Sequence, residues 1–289
     1  MKLKDTRELF RNELYGLYDR EEIDNFFYML LQSYLGVKRL DLAIKPELSF
    51  AKEEQISILK ALDSLKKHIP IQYILGETEF FGLSFKVSPS VLIPRPETEE
   101  LIDWIINCHG NSNKQLRVLD IGTGSGCIAV SLAKKLPQAK VYALDVSEDA
   151  ICVAKQNAEL NHVEIEFIQA DILNPKTWDL AFKELEFDII VSNPPYVRKQ
   201  EKSQMKDNVL MYEPHLALFV EDDDPLVFYK AIVQYAVDKL SQNGNLYFEI
   251  NEYLGTPMTQ LLYEYHFSDI ELKQDVFKKD RMIKGTKTT

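Results

Sequence analysis

The sequence predicts an α/β protein in which a small all-helical domain precedes a doubly wound, mainly parallel sheet of seven strands. Apolar residues recur at helical spacing over the first 70 residues and then alternate in a strand-like manner near residue 81. From about residue 97, strand-like and helix-like segments follow one another to the end of the chain. This alternation is typical of a parallel sheet with helices on both faces. A length of 289 residues also favours two domains over one.

The first predicted domain spans residues 1–70 and consists of helices. Asp19 with Glu22 resembles a capping box, in which an N-cap acceptor is followed three residues later by a Glu. Ser49 can cap a third long helix, and Pro70 would end it. No chemically reactive constellation occurs there, so we interpret this domain as a recognition or packing module.

Residues 71–95 predict a β-hairpin-like linker between the two domains. Apolar residues there alternate with small or polar ones, as in a strand: Phe81, Leu83, Phe85 and Val87. Prolines punctuate the exit from this segment.

The second predicted domain, residues 96–289, carries the alternating pattern. Ser147 is placed to cap a helix, and Pro225 suits the first turn of another that runs to about residue 240. The seven predicted strands lie at 116–120, 141–145, 165–169, 187–191, 246–250, 268–275 and 281–284.

The formal net charge of −11 argues against a nucleic-acid partner. Proteins that bind DNA or RNA through its phosphates usually carry a basic patch or stripe. Lysines are scattered here, with modest clusters at 199–206 and 278–287. We therefore expect no direct binding of nucleic acid.

Three widely spaced cysteines, Cys108, Cys127 and Cys152, form no CxxC pair and have no His at ligand spacing. This indicates a reducing compartment, no disulfide framework and no metal site. The longest apolar runs are too short to span a bilayer, and no signal-peptide pattern opens the chain. We expect a cytoplasmic monomer that binds no membrane.

Four residues that directly follow the buried strand at 187–191 form a candidate substrate site: Asn193, Pro194, Pro195 and Tyr196. Two successive prolines cannot donate to a sheet ladder, so the strand must end there. Open α/β sheets place their ligands at such carboxyl ends. An amide side chain, backbone carbonyls and an aromatic ring suit a planar substrate with an NH2 group, although a plain Pro-Pro turn with a surface Tyr remains an alternative.

The turn after the strand at 116–120 is a candidate cofactor site, because its glycines let the backbone pass close to a ligand. It contains Gly122, Thr123, Gly124, Ser125 and Gly126. The spacing GxGxG differs from the dinucleotide pattern GxGxxG, so a pyrophosphate is not specifically implied.

Two acids follow the next two strands. Asp145 ends the second strand, where the hydroxyl groups of a ribose would bind. Asp171 ends the third strand, near the place for an adenine, although it could instead cap a turn. With Ile172 they complete the predicted site for a nucleoside-containing cofactor.

In this order, the glycine turn, Asp145 and the Asn-Pro-Pro-Tyr motif resemble the class I S-adenosylmethionine-dependent methyltransferases, which have a Rossmann-like fold. Residues 71–101 read IQYILGETEFFGLSFKVSPSVLIPRPETEEL and look like the linker of the release factor glutamine methyltransferases. Residues 212–218 (YEPHLAL) and 279–281 with Gly285 are similar to that family too, so the resemblance covers both domains.

The resemblance implies methylation of N5 of the glutamine in the Gly-Gly-Gln loop of class 1 peptide chain release factors. It implies that the helical domain helps to hold the release factor, that the glycine turn and Asp145 bind S-adenosylmethionine, and that residues 193–196 bind the substrate amide. Asn193, Pro194 and Tyr196 are the predicted catalytic residues. The chain departs from the family after Phe219, where Val220 and four acidic residues stand in place of a glycine pair.

The main alternative is an N6-adenine DNA or RNA methyltransferase, since the exocyclic NH2 of adenine poses the same geometric problem. Such enzymes must grip a nucleic-acid backbone to flip the base. The negative charge and the linker argue against this reading. A cofactor-sensing scaffold with an inactive site would leave the Asn-Pro-Pro-Tyr motif without a use.

Overall fold

A computed structural model of the chain describes residues 2–45, 47–110, 112, 114–178, 182 and 185–288. The outer ends of the predicted domains, Met1 and Thr289, lie outside the described residues. The chain separates into two compact units: Met1–Gly76 with Lys206–Tyr212, and Glu77–Met205 with Glu213–Thr289. We call them the helical unit and the sheet unit.

Among the described residues before 77 the named elements are helices, and helices and strands are interspersed in the rest of the described chain. The described helices are α1 (Leu3–Glu13), α2 (Arg20–Leu35), α3 (Arg39–Ile44), α4 (Lys52–Leu65), α5 (Ile71–Leu75), α6 (Pro96–His109), α7 (Cys127–Lys135), α8 (Glu148–Leu160), α9 (Pro175–Trp178), α10 (Asp207–Tyr212), α11 (Val227–Lys239) and α12 (Gly255–Glu264). The described strands are β1 (Glu77–Phe80), β2 (Leu83–Lys86), β3 (Arg117–Ile121), β4 (Lys140–Asp145), β5 (Ile165–Gln169), β6 (Phe187–Ser192), β7 (Val197–Arg198), β8 (Phe219–Val220), β9 (Leu240–Glu249), β10 (Phe267–Gln274) and β11 (Asp280–Lys287).

The helical unit has its own apolar core. Phe10 of α1 and Phe27 of α2 are fully buried and meet edge to face, with ring centroids 5.3 Å apart. Predicted cap residues differ in detail from those observed. Helix α4 starts after Ala51 rather than at Ser49, because the Glu54 carboxylate accepts a hydrogen bond of 2.7 Å from the Ala51 N–H. That contact satisfies one of the free N–H groups at the start of the helix.

In the sheet unit, β1 and β2 form an antiparallel hairpin. The two turn residues, Phe81 and Gly82, have φ angles of 52° and 70°. Positive φ at both central residues is the geometry of a type I′ turn, which matches the twist of the flanking strands. Phe81 is held there by its N–H, which donates to Glu99 Oε1 at 2.7 Å. Of the residues predicted to alternate along a strand, Phe81 therefore lies in the turn, and Leu83 and Phe85 lie in β2.

Within the described part of the chain, seven strands form the main sheet in the order β10-β11-β9-β6-β3-β4-β5. β9, β6, β3, β4 and β5 run parallel, whereas β11 pairs antiparallel with β9 and with β10. This confirms the doubly wound, mainly parallel sheet. The order reverses at β3, whose neighbours are β4 and β6, so the carboxyl ends of β3 and β6 lie side by side at a topological switch point.

The sheet is covered on both faces. On one face, Leu101 and Ile105 of α6 pack with Val118 of β3 in one buried cluster. On the other, Ile232 of α11 packs with Leu119 of β3 in a second cluster. Burial on both faces explains why the parallel strands are nearly continuous apolar runs.

The segment 197–224 is folded rather than an irregular loop. β7 pairs in parallel with β8, and Lys199 forms an ion pair with Glu221. The Gln200 N–H donates to Asp222 Oδ1 at 3.0 Å, and Asp224 pairs with Lys230 at 2.7 Å. Glu221 and Asp224 thus neutralise neighbouring lysines, and Asp222 binds the backbone of the segment.

Part of this segment belongs to the helical unit, namely α10. The Tyr212 hydroxyl donates to the Lys67 carbonyl at 2.6 Å, which attaches α10 to the end of α4. No described helix has the length and apolar character required to cross a bilayer.

Candidate active site

A cavity of about 410 Å³ opens at the switch point between β3 and β6, entirely within the sheet unit. The β3–β6 register pairs Ile121 with Ser192, so the glycine turn after β3 and Asn193 after β6 reach the same wall. The size is in the range of pockets that bind cofactors. Residues 89–92, 94 and 95, between β2 and α6, form another part of the wall.

The glycine turn has the conformation that the sequence predicted for close backbone approach. Gly122 and Gly124 have φ angles of 73° and 54° and line the cavity, and a Cβ on either would meet nothing within 4 Å. A ligand can therefore pass directly over this backbone. Gly126, with φ of 80°, lies against α8, where a Cβ would be 3.0 Å from the Ala154 Cβ.

Asp145, at the end of β4, holds the glycine turn in place. Its Oδ2 accepts the Gly124 N–H at 2.8 Å, and its Oδ1 accepts the Ser147 N–H at 2.9 Å. Burial raises the pKa of Asp145, and these N–H groups oppose the shift. Each carboxylate oxygen keeps a lone pair for a further donor such as a ribose hydroxyl.

Asp120, at the end of β3, lies fully buried beside the same turn. The Thr123 hydroxyl donates to its Oδ2 at 2.7 Å, whereas its Oδ1 has no hydrogen-bond partner among the described residues. Burial raises the pKa of Asp120 to about 7, and the nearby Asp145 charge adds to this. The Asp145 carboxylate beside the turn disfavours a phosphate and favours a positively charged ligand.

Asp171 and Ile172 also line the cavity, beyond the end of β5. Asp171 Oδ1 accepts the Leu173 N–H at 2.9 Å, so this carboxylate caps a turn as well as facing the cavity. Ile172 is 8% exposed and adds an apolar surface to the wall. Flat apolar surface beside an acid suits a nucleoside.

The Asn-Pro-Pro-Tyr motif is divided between the wall and the core. Within the described chain, the wall includes Asn193, Pro194 and Pro195 but not Tyr196. The Tyr196 ring packs against the buried cluster on one face of the sheet, and its hydroxyl donates to Glu249 Oε1 at 3.2 Å. The structure therefore brings three of the four motif residues to the cavity.

Sequence reasoning assigned no role to Thr98, which lies next to Asn193, or to Glu249, which Thr98 contacts. Thr98 lines the cavity from the first turn of α6. Its hydroxyl donates to Glu249 Oε2 at 2.6 Å and lies 3.4 Å from Asn193 Nδ2. Glu249 is 1% exposed, and burial raises its pKa while Thr98, Arg281 and Tyr196 lower it.

A signal for Glu249 exists in the sequence. It follows the apolar run 246–248, as Asp145 and Asn193 follow their strands. An acid after a buried strand is the same signal that marked Asp145.

A second missed contact ties the linker to the segment after α10. Arg95, which lines the cavity, pairs with Glu213 at 2.6 Å, and the other Glu213 oxygen accepts the Ile93 N–H at 3.2 Å. Glu213 is 4% exposed. A buried carboxylate with two charge-assisted bonds fixes both segments.

The residues present fit S-adenosylmethionine. The open glycine turn and the Asp145 carboxylate, which both line the cavity, suit a ligand with a sulfonium and an ammonium group. No cluster of three or more His, Cys, Asp or Glu in the described chain could hold a metal ion.

Family models match both parts of the chain. One described as PrmC N-terminal domain matches residues 10–76, and one described as Methyltransferase small domain matches residues 105–218.

Among solved structures, a 16S rRNA methyltransferase (RsmC) of T. thermophilus in complex with AdoMet and guanosine matches with a TM-score of 0.53 and 19% identity, over 73% of this chain and 49% of that one. A methyltransferase from Pyrococcus furiosus matches with a TM-score of 0.52 and 19% identity, over 83% of this chain and 100% of that one. At this identity the likeness shows the fold alone.

Curated relatives are far more similar. A release factor glutamine methyltransferase from Flavobacterium psychrophilum is 53% identical over 286 residues, covering 98% of this chain and 99% of that protein. One from Bacteroides thetaiotaomicron is 41% identical, over 94% of this chain and 96% of that protein. The chain belongs to the family of release factor glutamine methyltransferases, enzymes that use S-adenosylmethionine.

Proposed function

We propose that this enzyme transfers a methyl group from S-adenosylmethionine to N5 of the glutamine in the Gly-Gly-Gln motif of class 1 peptide chain release factors. One observation carries the proposal: the β3–β6 register places Asn193 and Pro194 in one cavity with the glycine turn. An acceptor pair for an NH2 group thus lies beside a site suited to a methyl donor. The names of the relatives agree with this substrate.

An amide nitrogen is a poor nucleophile, because its lone pair is delocalised into the carbonyl group. Asn193 Oδ1 and the Pro194 carbonyl would each accept one of its hydrogens. These two bonds would hold the nitrogen in line with the methyl group of the bound cofactor, so positioning supplies much of the catalysis. Pro195 completes the substrate strip, and stacking of the Tyr196 ring on the amide stays a prediction.

Bound S-adenosylmethionine would supply the methyl group: the amide nitrogen would form a bond to the methyl carbon as the carbon–sulfur bond breaks, and the electron pair of that bond would stay on sulfur in S-adenosylhomocysteine. The alkylated nitrogen would be strongly acidic and would lose one proton to water, so no general base is needed before transfer.

The cofactor half of the site is proposed to use the glycine turn, residues 122–126, with Asp145, Asp171 and Ile172. Asp145 would bind the ribose hydroxyls, and Ile172 the adenine. The apolar wall and the turn geometry support this assignment.

We propose the same division of labour for the chain as its sequence predicted. Residues 1–70, which lie in the helical unit, would recognise the release factor, and 71–95, which contain α5 and the β1–β2 hairpin, would link the domains. Residues 96–289, apart from α10 in the helical unit, would bind the cofactor and carry out transfer. The net charge of −11 supports a protein substrate without direct nucleic-acid contact. A cytoplasmic monomer is the state we propose for it.

One assay tests the substrate. The protein is incubated with S-adenosylmethionine labelled in the methyl group and with purified release factor, RNA or DNA in parallel, at about 150 mM salt. Label is expected in the release factor alone, on the Gly-Gly-Gln glutamine by mass spectrometry. A release factor with Gly-Gly-Ala in place of Gly-Gly-Gln is the matched control. Label in nucleic acid would instead identify the N6-adenine activity.

A further inference from the structure

We infer that Thr98 and Glu249 are positioning residues that set the orientation of the Asn193 side-chain amide. This rests on the proposed function, in which Asn193 Oδ1 accepts a hydrogen from the substrate NH2. The two ends of an Asn amide have similar shapes and opposite hydrogen-bonding roles. A catalytic Asn of this kind therefore needs a neighbour that selects one of its two orientations.

Thr98 provides that selection. Its hydroxyl proton is engaged by Glu249 Oε2 at 2.6 Å, so toward Asn193 the Thr98 oxygen can only accept. The Asn193 atom 3.4 Å away is Nδ2, a donor. With Nδ2 facing Thr98, the acceptor Oδ1 occupies the other end of the amide. The opposite orientation would place two acceptor oxygens against each other.

Glu249 fixes the direction of this chain of hydrogen bonds. Its Oε1 accepts from the Tyr196 hydroxyl at 3.2 Å while its Oε2 accepts from Thr98. The Tyr229 hydroxyl donates to the Glu249 carbonyl at 3.0 Å, which holds the backbone at the end of β9. Two accepting oxygens describe an ionised carboxylate. Burial raises the pKa of Glu249, and the hydrogen bonds from Thr98 and Tyr196 and the Arg281 charge oppose that shift.

The same network assigns a positioning role to the Tyr196 hydroxyl. Glu249 joins Thr98 of α6, the motif after β6 and the end of β9 in one buried cluster. Thr98 also lines the cavity, so this cluster reaches the site as well as joining α6 to the sheet. Buried polar networks of this kind rigidify a site when every member is satisfied.

The experiment compares three single variants. Thr98→Val removes the hydroxyl at constant shape, Thr98→Ser keeps it, and Thr259→Val removes a hydroxyl bond of 2.9 Å on α12, away from the cavity. Thr98→Val is expected to lower kcat by about 10- to 100-fold, the effect of a misplaced reacting group. Affinity for S-adenosylhomocysteine should change less than about twofold, because binding of the cofactor does not use Asn193.

Thr98→Ser should restore most of the rate, and Thr259→Val should leave kcat at the wild-type value. If Thr98→Val does not fold, Thr98→Ala makes the same comparison without added bulk. A folded variant without the hydroxyl that keeps wild-type kcat overturns the inference, and so does an equal loss in Thr98→Ser.

A double-mutant cycle separates positioning from an independent role. If Thr98 acts through Asn193, then Thr98→Val should change the single-turnover rate less than about twofold in an Asn193→Ala background. If the rate losses of the two single variants instead multiply in the double variant, the inference is overturned. Failure of the proposed function shows itself differently, as a wild-type protein that does not label release factor. The same cycle is then run with whichever substrate is labelled.

Discussion

At the residue scale, Asn193 and Asp145 line one cavity but contact different groups, so their substitution should change different parameters. Asn193→Ala is expected to lower kcat on the order of 10²-fold, the usual cost of one transition-state hydrogen bond. Asp145→Ala should weaken S-adenosylmethionine binding by about 10- to 100-fold, since it removes hydrogen bonds to a charged group. Isothermal titration and initial rates measure the two effects.

Each of these variants is the control for the other. Asn193→Ala should bind the cofactor with nearly wild-type affinity, and Asp145→Ala should recover rate at saturating cofactor. A wild-type turnover in Asn193→Ala contradicts its catalytic role, and an unchanged dissociation constant in Asp145→Ala removes it from the ribose site.

Asp120 gives the cofactor-free enzyme a pH-dependent stability. Its pKa is about 7 in the folded protein, against about 3.9 for an Asp in an unfolded chain. The folded state therefore holds the Asp120 proton more tightly than the unfolded state, which stabilises the fold. This stabilisation is complete below about pH 4 and is lost as the pH rises to about 7. Over that window the free energy of unfolding should fall by up to about 1.4 kcal/mol per pH unit.

The Asp120→Asn variant has no ionisable side chain at this position. Its free energy of unfolding should therefore lack the part of the pH-dependent fall that Asp120 causes. Urea unfolding of both proteins without cofactor, at about pH 5 and about pH 8, measures it. The variant is expected to lose less stability between the two pH values than the wild type. Parallel curves for the two proteins would contradict the assignment.

Sequence reasoning predicts the location of residues that end a strand or directly follow one. Asp145 and Asn193 are predicted to lie at the edge of the sheet because an apolar run ends there, and both line the cavity, whereas their roles stay predictions. Thr98 was not found, because nothing local indicates that the first turn of α6 reaches β9. Its role depends on a contact between positions 151 residues apart.

At the element scale, one side chain connects the β1–β2 hairpin to the cofactor turn. Asn157 of α8 is fully buried, and its Nδ2 donates to the Ser125 carbonyl at 2.8 Å and to the Lys86 carbonyl at 2.9 Å. Its Oδ1 accepts the Lys86 N–H at 2.6 Å. Asn161, one helical turn later, bonds the Ser84 carbonyl of the same hairpin at 2.9 Å but does not reach the glycine turn.

This pair predicts separable effects of two similar substitutions. Asn157→Ala and Asn161→Ala should each lower the free energy of unfolding by roughly 1–3 kcal/mol, because buried backbone groups lose their partners. Asn157→Ala should also weaken cofactor binding, since the Ser125 carbonyl is released. Asn161→Ala should bind the cofactor normally. Urea unfolding and isothermal titration test this, and equal cofactor affinities in the two variants would contradict it.

Elements with a strong local signal were predicted well, and those that depend on distant partners were not. Ser147 caps α8 as expected, since its hydroxyl accepts the Ala150 N–H at 3.2 Å. β7 and β8 are only two residues each, and β7 exists because it pairs with a strand 22 residues away, as Val197 with Phe219. Pairing of that kind has no signature in a short sequence window.

At the scale of the whole molecule, the alternating pattern sufficed for a parallel sheet, whereas the strand order comes only from the structure. The solved structures with this fold include an enzyme of rRNA, so the fold does not choose the substrate. The features of this chain that bear on its substrate are the net charge of −11 and the helical unit. Substrate recognition is therefore best tested on the helical unit.

Helix α3 offers a face for that test. Leu40 and Ile44 are each 67% exposed and lie four residues apart, on one side of the helix, whereas Leu42 is buried in the core of the unit. The proposed recognition role of residues 1–70 predicts that this apolar face contacts the release factor. The double variant Leu40→Ser with Ile44→Ser should raise KM for intact release factor by about tenfold or more, which corresponds to about 1.4 kcal/mol of binding.

The same variant should leave kcat unchanged, because no cavity residue is altered. A short peptide with the Gly-Gly-Gln sequence should be methylated by variant and wild type with equal KM, since it is too small to reach a second surface. Tyr263→Ser, on α12 of the sheet unit and 63% exposed, is the matched control and should change neither substrate. Initial rates over a range of release factor concentrations give KM. An unchanged KM for intact release factor would show that this face of α3 is not part of the recognition surface.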